Sequence, residues 1–168
     1  ALVDRAKFPR EKTCGGGSCV HIEEFDHIIS NWVDSLESRG LRGIVYGPDF
    51  TPVDYTSEIP FFYNIRRLKF DNTLVQYAVA EGAILMDGIA VKNFEVNEGK
   101  VVTTLRNGKE LTSDVIIGAG GSFDMVSRRI RDIEKMPMKW RDQDIATALY
   151  FEVDVGREFM DRVYGKER

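Results

Sequence analysis

The chain has 168 residues, 43% of them hydrophobic, which is enough to bury a core and predicts about one domain. Its net charge of -4 comes from interspersed acids and bases, so neither a basic stripe for nucleic acid nor a polybasic membrane anchor is present, and no nucleic-acid partner is expected. Two cysteines make no disulfide framework, and with no secretory leader and no bilayer-length apolar run the expected compartment is the reducing cytoplasm.

Ala1 to Val3 is an apolar run that stops at Asp4, followed by a basic, proline-bearing loop and then Gly15-Gly16-Gly17. A carboxylate at the tip of a parallel strand can accept two hydrogen bonds from a ribose diol, and glycines let backbone approach a flat cofactor closely. The chain begins without methionine inside this strand. A Gly-x-Gly-x-x-Gly turn should precede such a strand end by roughly 20 residues, so an upstream segment is expected. Ser18 is placed as the N-cap of an amphipathic helix running to about Glu37, with Ile22, Phe25, Ile29, Trp32, Val33 and Leu36 on its apolar face and Gly40 closing it.

Leu41 to Tyr46 and Ile59 to Ile65 read as strands joined by turns at Gly47-Pro48 and Pro52. A second helix starts near Arg67, carries Phe70, Leu74, Tyr77 and Ala78 on one face and ends at Gly82. From Ala83 to Thr112 four short strands are predicted: Ala83–Met86, Ala90–Val96, Lys100–Leu105 and Leu111–Thr112. Asn97-Glu98-Gly99 and Asn107-Gly108 fall between them as hairpin turns, giving an antiparallel meander. Asp114 to Ile117 then reads as a buried parallel strand leading into Gly118-Ala119-Gly120-Gly121. Ser122 is placed as the cap of a helix bearing Met125, Val126, Ile130 and Ile133. Ile145 to Val155 is predicted as the first strand of a further domain.

Three words of this sequence carry a family resemblance. Asp4, Lys7-Phe8-Pro9-Arg10 and Lys12-Thr13-Cys14-Gly15-Gly16-Gly17 form the first. Arg67-Leu68-Lys69-Phe70-Asp71-Asn72-Thr73-Leu74, followed by Ala78-Val79-Ala80-Glu81-Gly82-Ala83, forms the second, and Ile116 to Val126 the third. Together they resemble the geranylgeranyl reductase family of FAD-dependent oxidoreductases, within the flavin-monooxygenase-like superfamily. The third word departs from that family's Val-Ile-Gly-Ala-Asp-Gly-x-x-Ser-x-Val-Arg: Gly120 replaces the aspartate, Asp124 the serine, and the arginine comes one place late as Arg128.

The resemblance implies an α/β fold: a Rossmann-like FAD-binding domain with a parallel sheet and an antiparallel meander, lacking its N-terminal phosphate loop and most of its substrate domain. The expected boundaries are residues 1–136 for the cofactor domain, with an inserted strand segment at about 41–65, and 137–168 for the start of a substrate-binding β domain. FAD is the implied cofactor, with NAD(P)H or ferredoxin as electron donor. Asp4, Arg5, Cys14, Gly15, Gly16, Arg67, Gly118, Ala119, Gly120 and Gly121 are implied to bind it, Cys14 lying near flavin and substrate. The implied reaction is reduction of C=C bonds in geranylgeranyl chains of isoprenoid lipids or pigments, with any peripheral membrane contact made through parts outside this chain. The alternatives are an aromatic hydroxylase or halogenase on the same cofactor domain, and a non-catalytic remnant. The 168-residue chain alone is expected to hold FAD poorly and to be inactive.

Two bland readings stand beside these. Asp4 could be a loop acid paired with Arg5, Lys7 or Arg10, and Arg67 a solvated helix-terminal charge. No metal is expected: Cys14, Cys19, His21 and His27 do not have the spacing of a zinc site.

Overall fold

The structure, a computed structural model, describes residues 1–19, 31–135 and 142–164. It forms two compact units, one made of Ala1–Phe8 and Ala83–Ala148, the other of Pro9–Gly82 and Leu149–Arg168.

In the first unit, β1 (Leu2–Asp4) pairs in parallel with a strand at Leu85–Asp87, so that Asp4 lies opposite Asp87 at the carboxyl ends of both. The chain then stays zipped beyond the strands, with Ile89 N–H donating to the Asp4 carbonyl at 3.1 Å and Gly88 N–H to that of Ala6 at 3.1 Å. The meander follows as three antiparallel strands, Val91–Asn97, Lys100–Leu105 and Glu110–Ser113, the second lying between the other two. Its turns use the residues the sequence offers: Glu98 and Gly99 both take positive φ, and the Asn107 side chain accepts from Lys109 N–H at 3.0 Å while Gly108 sits at φ 85°. Phe94 and Val101 pack with Val126 of a helix at Met125–Ile133, and Ile116 and Met125 close around them.

The second unit holds β2 (Gly17–Cys19), a 3-10 turn (Trp32–Ser35), β3 (Leu36–Gly40), β4 (Arg42–Tyr46), β5 (Pro52–Thr56), β6 (Phe62–Ile65) and α1 (Arg67–Ala80). In chain order the strands of the first unit after β1 are therefore β7 (Leu85–Asp87) to β10 (Glu110–Ser113). Its helix is α2 (Met125–Ile133), and α3 (Arg157–Tyr164) follows in the second unit. β6 lies between β2 and β3, antiparallel to both, and β4 with β5 makes a separate hairpin. Trp32 packs edge-on against Tyr63, with centroids 5.6 Å apart, and the buried Ser35 hydroxyl donates to the Trp32 carbonyl.

Several expectations need correction. Ser18 is no helix cap: it lies in β2 opposite Tyr63. The far end of the expected helix is a 3-10 turn and then β3, whose Leu36, Ser38 and Gly40 are half-buried while Glu37 and Arg39 are exposed, a strand's period of two. The middle of that helix lies outside the described residues. Pro52 does not merely punctuate a turn but opens β5. In α1 the buried positions are Asp71 and Val75; Phe70, Leu74 and Ala78 are half-buried, while Tyr77 is 37% exposed.

Asp114 to Ile117 is not a strand. Val115 and Ile117 are 69% and 85% exposed, and only Ile116 is covered. A parallel strand exists by hydrogen bonding to neighbours, and among the described residues nothing pairs with this segment. For the same reason Ile145 to Val155 forms no strand. Ser122 falls in a short 3-10 turn, and Asp124 caps α2 instead.

Candidate functional site

In the first unit Asp4 stands at the tip of β1. Its Oδ1 accepts the N–H of Ala6 at 2.8 Å, which turns the chain away from the sheet and leaves Arg5 exposed. Asp87, which sequence reasoning missed, fixes the same loop from the neighbouring strand by accepting Phe8 N–H at 2.8 Å. The signal for it was present, since an acid ends both parallel runs.

The other half of the expected site in this unit is the turn Gly118-Ala119-Gly120-Gly121, whose residues are all exposed. Here the Asp124 carboxylate turns back over the loop. One oxygen accepts Gly120 N–H at 2.9 Å and the other accepts Ser127 N–H at 2.7 Å. Partial burial pushes the Asp124 carboxyl up, but the backbone N–H groups of Ser127 and Gly120 outweigh it and hold the group below the usual range. A Cβ on Gly118 would stand 2.3 Å from one carboxylate oxygen, and one on Gly120 would stand 2.6 Å from the other. These two glycines are thus explained by the chain's own acid.

In the second unit Cys14, Gly15 and Gly16 lead into β2 and Arg67 opens α1. Gly16 sits at φ +76°, and a Cβ there would come within 2.2 Å of the Ile65 carbonyl oxygen, so strand packing alone demands glycine. Gly15 differs: a Cβ at that position meets nothing within 4 Å. Arg67 makes a two-pronged ion pair with Asp71, Nε to Oδ1 at 2.6 Å and an Nη to Oδ2 at 2.9 Å, and Arg10 reaches the same Oδ2 at 3.1 Å. Asp71, only 8% exposed, is therefore bracketed by two guanidinium groups. The Cys14 thiol is held below its ordinary value, first by the Gly16 N–H and then by Arg67, against burial and the Asp71 charge, which push it up.

Arg67 is not a solvated terminal charge: it joins a thiol to a buried carboxylate. The roles of Asp71 and Arg10 went unread in the sequence. Arg67 and Asp71 at i and i+4 were the available signal, whereas Arg10 lies 61 positions from Asp71. His21, His27 and the side chain of Cys19 lie outside the described residues. No helix among the described residues is long and apolar enough to cross a membrane.

No protein-family model matches the chain. Among curated proteins it is 32% identical over 139 residues to Protein FixC of Escherichia coli O157:H7, covering 77% of this chain and 32% of that protein. It is 29% identical over 136 residues to a menaquinone reductase of Mycobacterium tuberculosis, with 77% and 33% covered. The chain thus spans about a third of the length of the curated relatives it matches. Among solved structures it resembles a geranylgeranyl bacteriochlorophyll reductase-like protein of Thermoplasma acidophilum, with a TM-score of 0.56 and 21% identity over 66% of this chain and 29% of that one. It resembles halogenase PltM, solved with phloroglucinol and FAD, with a TM-score of 0.59 and 19% identity over 76% and 30%. The likeness shows the fold. It is a mixed α/β architecture with parallel and antiparallel sheets.

Proposed function

We propose that this chain belongs to a FAD-dependent oxidoreductase that reduces C=C bonds of geranylgeranyl chains. The observation that carries the reading is the Cys14–Gly16 loop, where a thiol of lowered pKa lies beside Arg67 and next to a glycine whose outer side is open. The reductases among the relatives, one named for menaquinone and one likened to a geranylgeranyl bacteriochlorophyll reductase, support a prenylated substrate.

The residues fit FAD unevenly. Asp4 offers a carboxylate at a strand tip for the ribose hydroxyls, Arg67 offers positive charge, and Gly15 leaves room for a flat ring. The Gly118–Gly121 turn fits poorly, because the Asp124 carboxylate already takes Gly120 N–H in the turn and Ser127 N–H in α2. When bound and reduced by the electron donor, the flavin would supply a hydride to one alkene carbon while a proton reaches the other, the flavin ending oxidised. The chain's own contribution is to orient: Asp71 locks the Arg67 guanidinium, and Arg67 with the Gly16 N–H keeps Cys14 in place.

The test uses protein expressed from the complete natural reading frame, reduced without oxygen and given a geranylgeranyl lipid. The expected product has gained hydrogen at its double bonds, read by mass spectrometry. A halogenase-like monooxygenase is the second reading, favoured by the likeness to halogenase PltM. It predicts no anaerobic product, with substrate hydroxylated or halogenated only when oxygen is admitted. Protein that binds no FAD and transforms neither kind of substrate would leave the remnant reading.

A further inference from the structure

We propose that Asp124 is an internal anion that fills the Gly118–Gly121 turn and keeps a diphosphate out of it. The turn has the parts of an anion cradle, glycines followed by the first turn of α2, which is nine residues long. Two of its donors are already taken, Gly120 N–H by one Asp124 oxygen and Ser127 N–H by the other. The carboxylate also fills the space that glycine opens, standing 2.3 Å from a Cβ position on Gly118 and 2.6 Å from one on Gly120. A ligand phosphate at this place would lose both hydrogen bonds to the carboxylate and meet its negative charge at contact distance. The arrangement is built rather than incidental, since Asp124 is at once the N-cap of α2 and the plug of the turn.

The inference rests on the flavin reading only for which diphosphate is kept out, and the geometry can be tested without flavin. The probe is ADP, added to the 168-residue chain while the amide resonances of Gly120 and Ser127 are followed. Asp124→Ser keeps a capping oxygen for Ser127 N–H and removes the charge, so α2 remains capped. In this variant both amides should move with ADP and report binding at least about tenfold tighter than in the parent. Asp124→Asn, which also keeps a cap but fills more of the turn, should lie between the two. Adenosine, which has no phosphate, should move neither amide in any of the three proteins.

Parent amides that respond to ADP as strongly as those of Asp124→Ser would overturn the proposal. So would an Asp124→Ser chain that keeps the parent's far-ultraviolet spectrum and gives no response. A complete protein that fails to bind FAD would remove the flavin reading and leave this result standing.

Discussion

The two glycine turns look alike in sequence and differ in what stands against them. At Gly15–Gly17 the charged groups nearby are Arg67 and Arg10, their shared acid Asp71 is turned onto them, and one glycine faces open space. At Gly118–Gly121 the chain supplies its own acid, which takes two N–H groups and the room beside two glycines. The lesson is that a glycine marks a place where something comes close, and the structure must say whether that is a ligand or the chain itself.

The sharpest break of this comparison is within the first turn. Gly16→Ala should cost about 3 kcal/mol or more, because it combines a left-handed backbone with a Cβ 2.2 Å from the Ile65 carbonyl oxygen. Gly15→Ala should stay within about 0.5 kcal/mol, having nothing to strike. Urea unfolding of the two variants measures both, and equal losses would dissolve the distinction.

Arg67→Leu comes next. It leaves the buried Asp71 with Arg10 as its remaining partner among the contacts described above, and should destabilise the chain by about 2 kcal/mol, read by the same unfolding curves.

Asp4→Ala acts on binding instead. In the complete protein it should weaken FAD by about ten- to a hundredfold, since a charge-assisted hydrogen bond is worth roughly 1.5–3 kcal/mol, with Asp4→Asn weakening it less. Fluorescence titration of apo-protein gives the ratio.

The smallest effect is on Cys14. Because its thiol is held below the ordinary value of 9.0, alkylation by iodoacetamide should reach half its plateau at lower pH than for a free thiol, and Arg67→Leu should move that midpoint back up. The sign for stability follows: the thiolate's contribution is full above the unfolded thiol pKa and is lost as pH falls through the lowered folded value. A profile identical to that of a free thiol would remove Arg67 and the Gly16 N–H as partners of the thiol.

What the sequence made legible was local. The parallel strand ending at Asp4, the Asn107-Gly108 and Asn97-Glu98-Gly99 turns, and α1 with Gly82 at φ +96° behind it all follow from backbone rules that act over a few residues. The apolar spacing of Trp32, Val33 and Leu36 misled, because three positions cannot separate a helix face from a 3-10 turn entering a strand. Arg10's part in the Arg10–Asp71–Arg67 cluster was hidden because it lies 61 positions from Asp71, and Asp71 reads as a surface acid until folding buries it. In the second turn the sequence marked Asp124 as a departure from the family word, and the structure shows its carboxylate accepting the N–H groups of Gly120 and Ser127.

On the proposed reading the flavin lies on the Gly15 side of the first turn. Gly15→Val in the complete protein decides this, since a Cβ at that position meets nothing within 4 Å and the valine would stand in that open space. The account predicts FAD affinity reduced by at least about tenfold with the unfolding midpoint of the apo-protein unchanged. A Gly15→Val protein that binds FAD as tightly as its parent would contradict it.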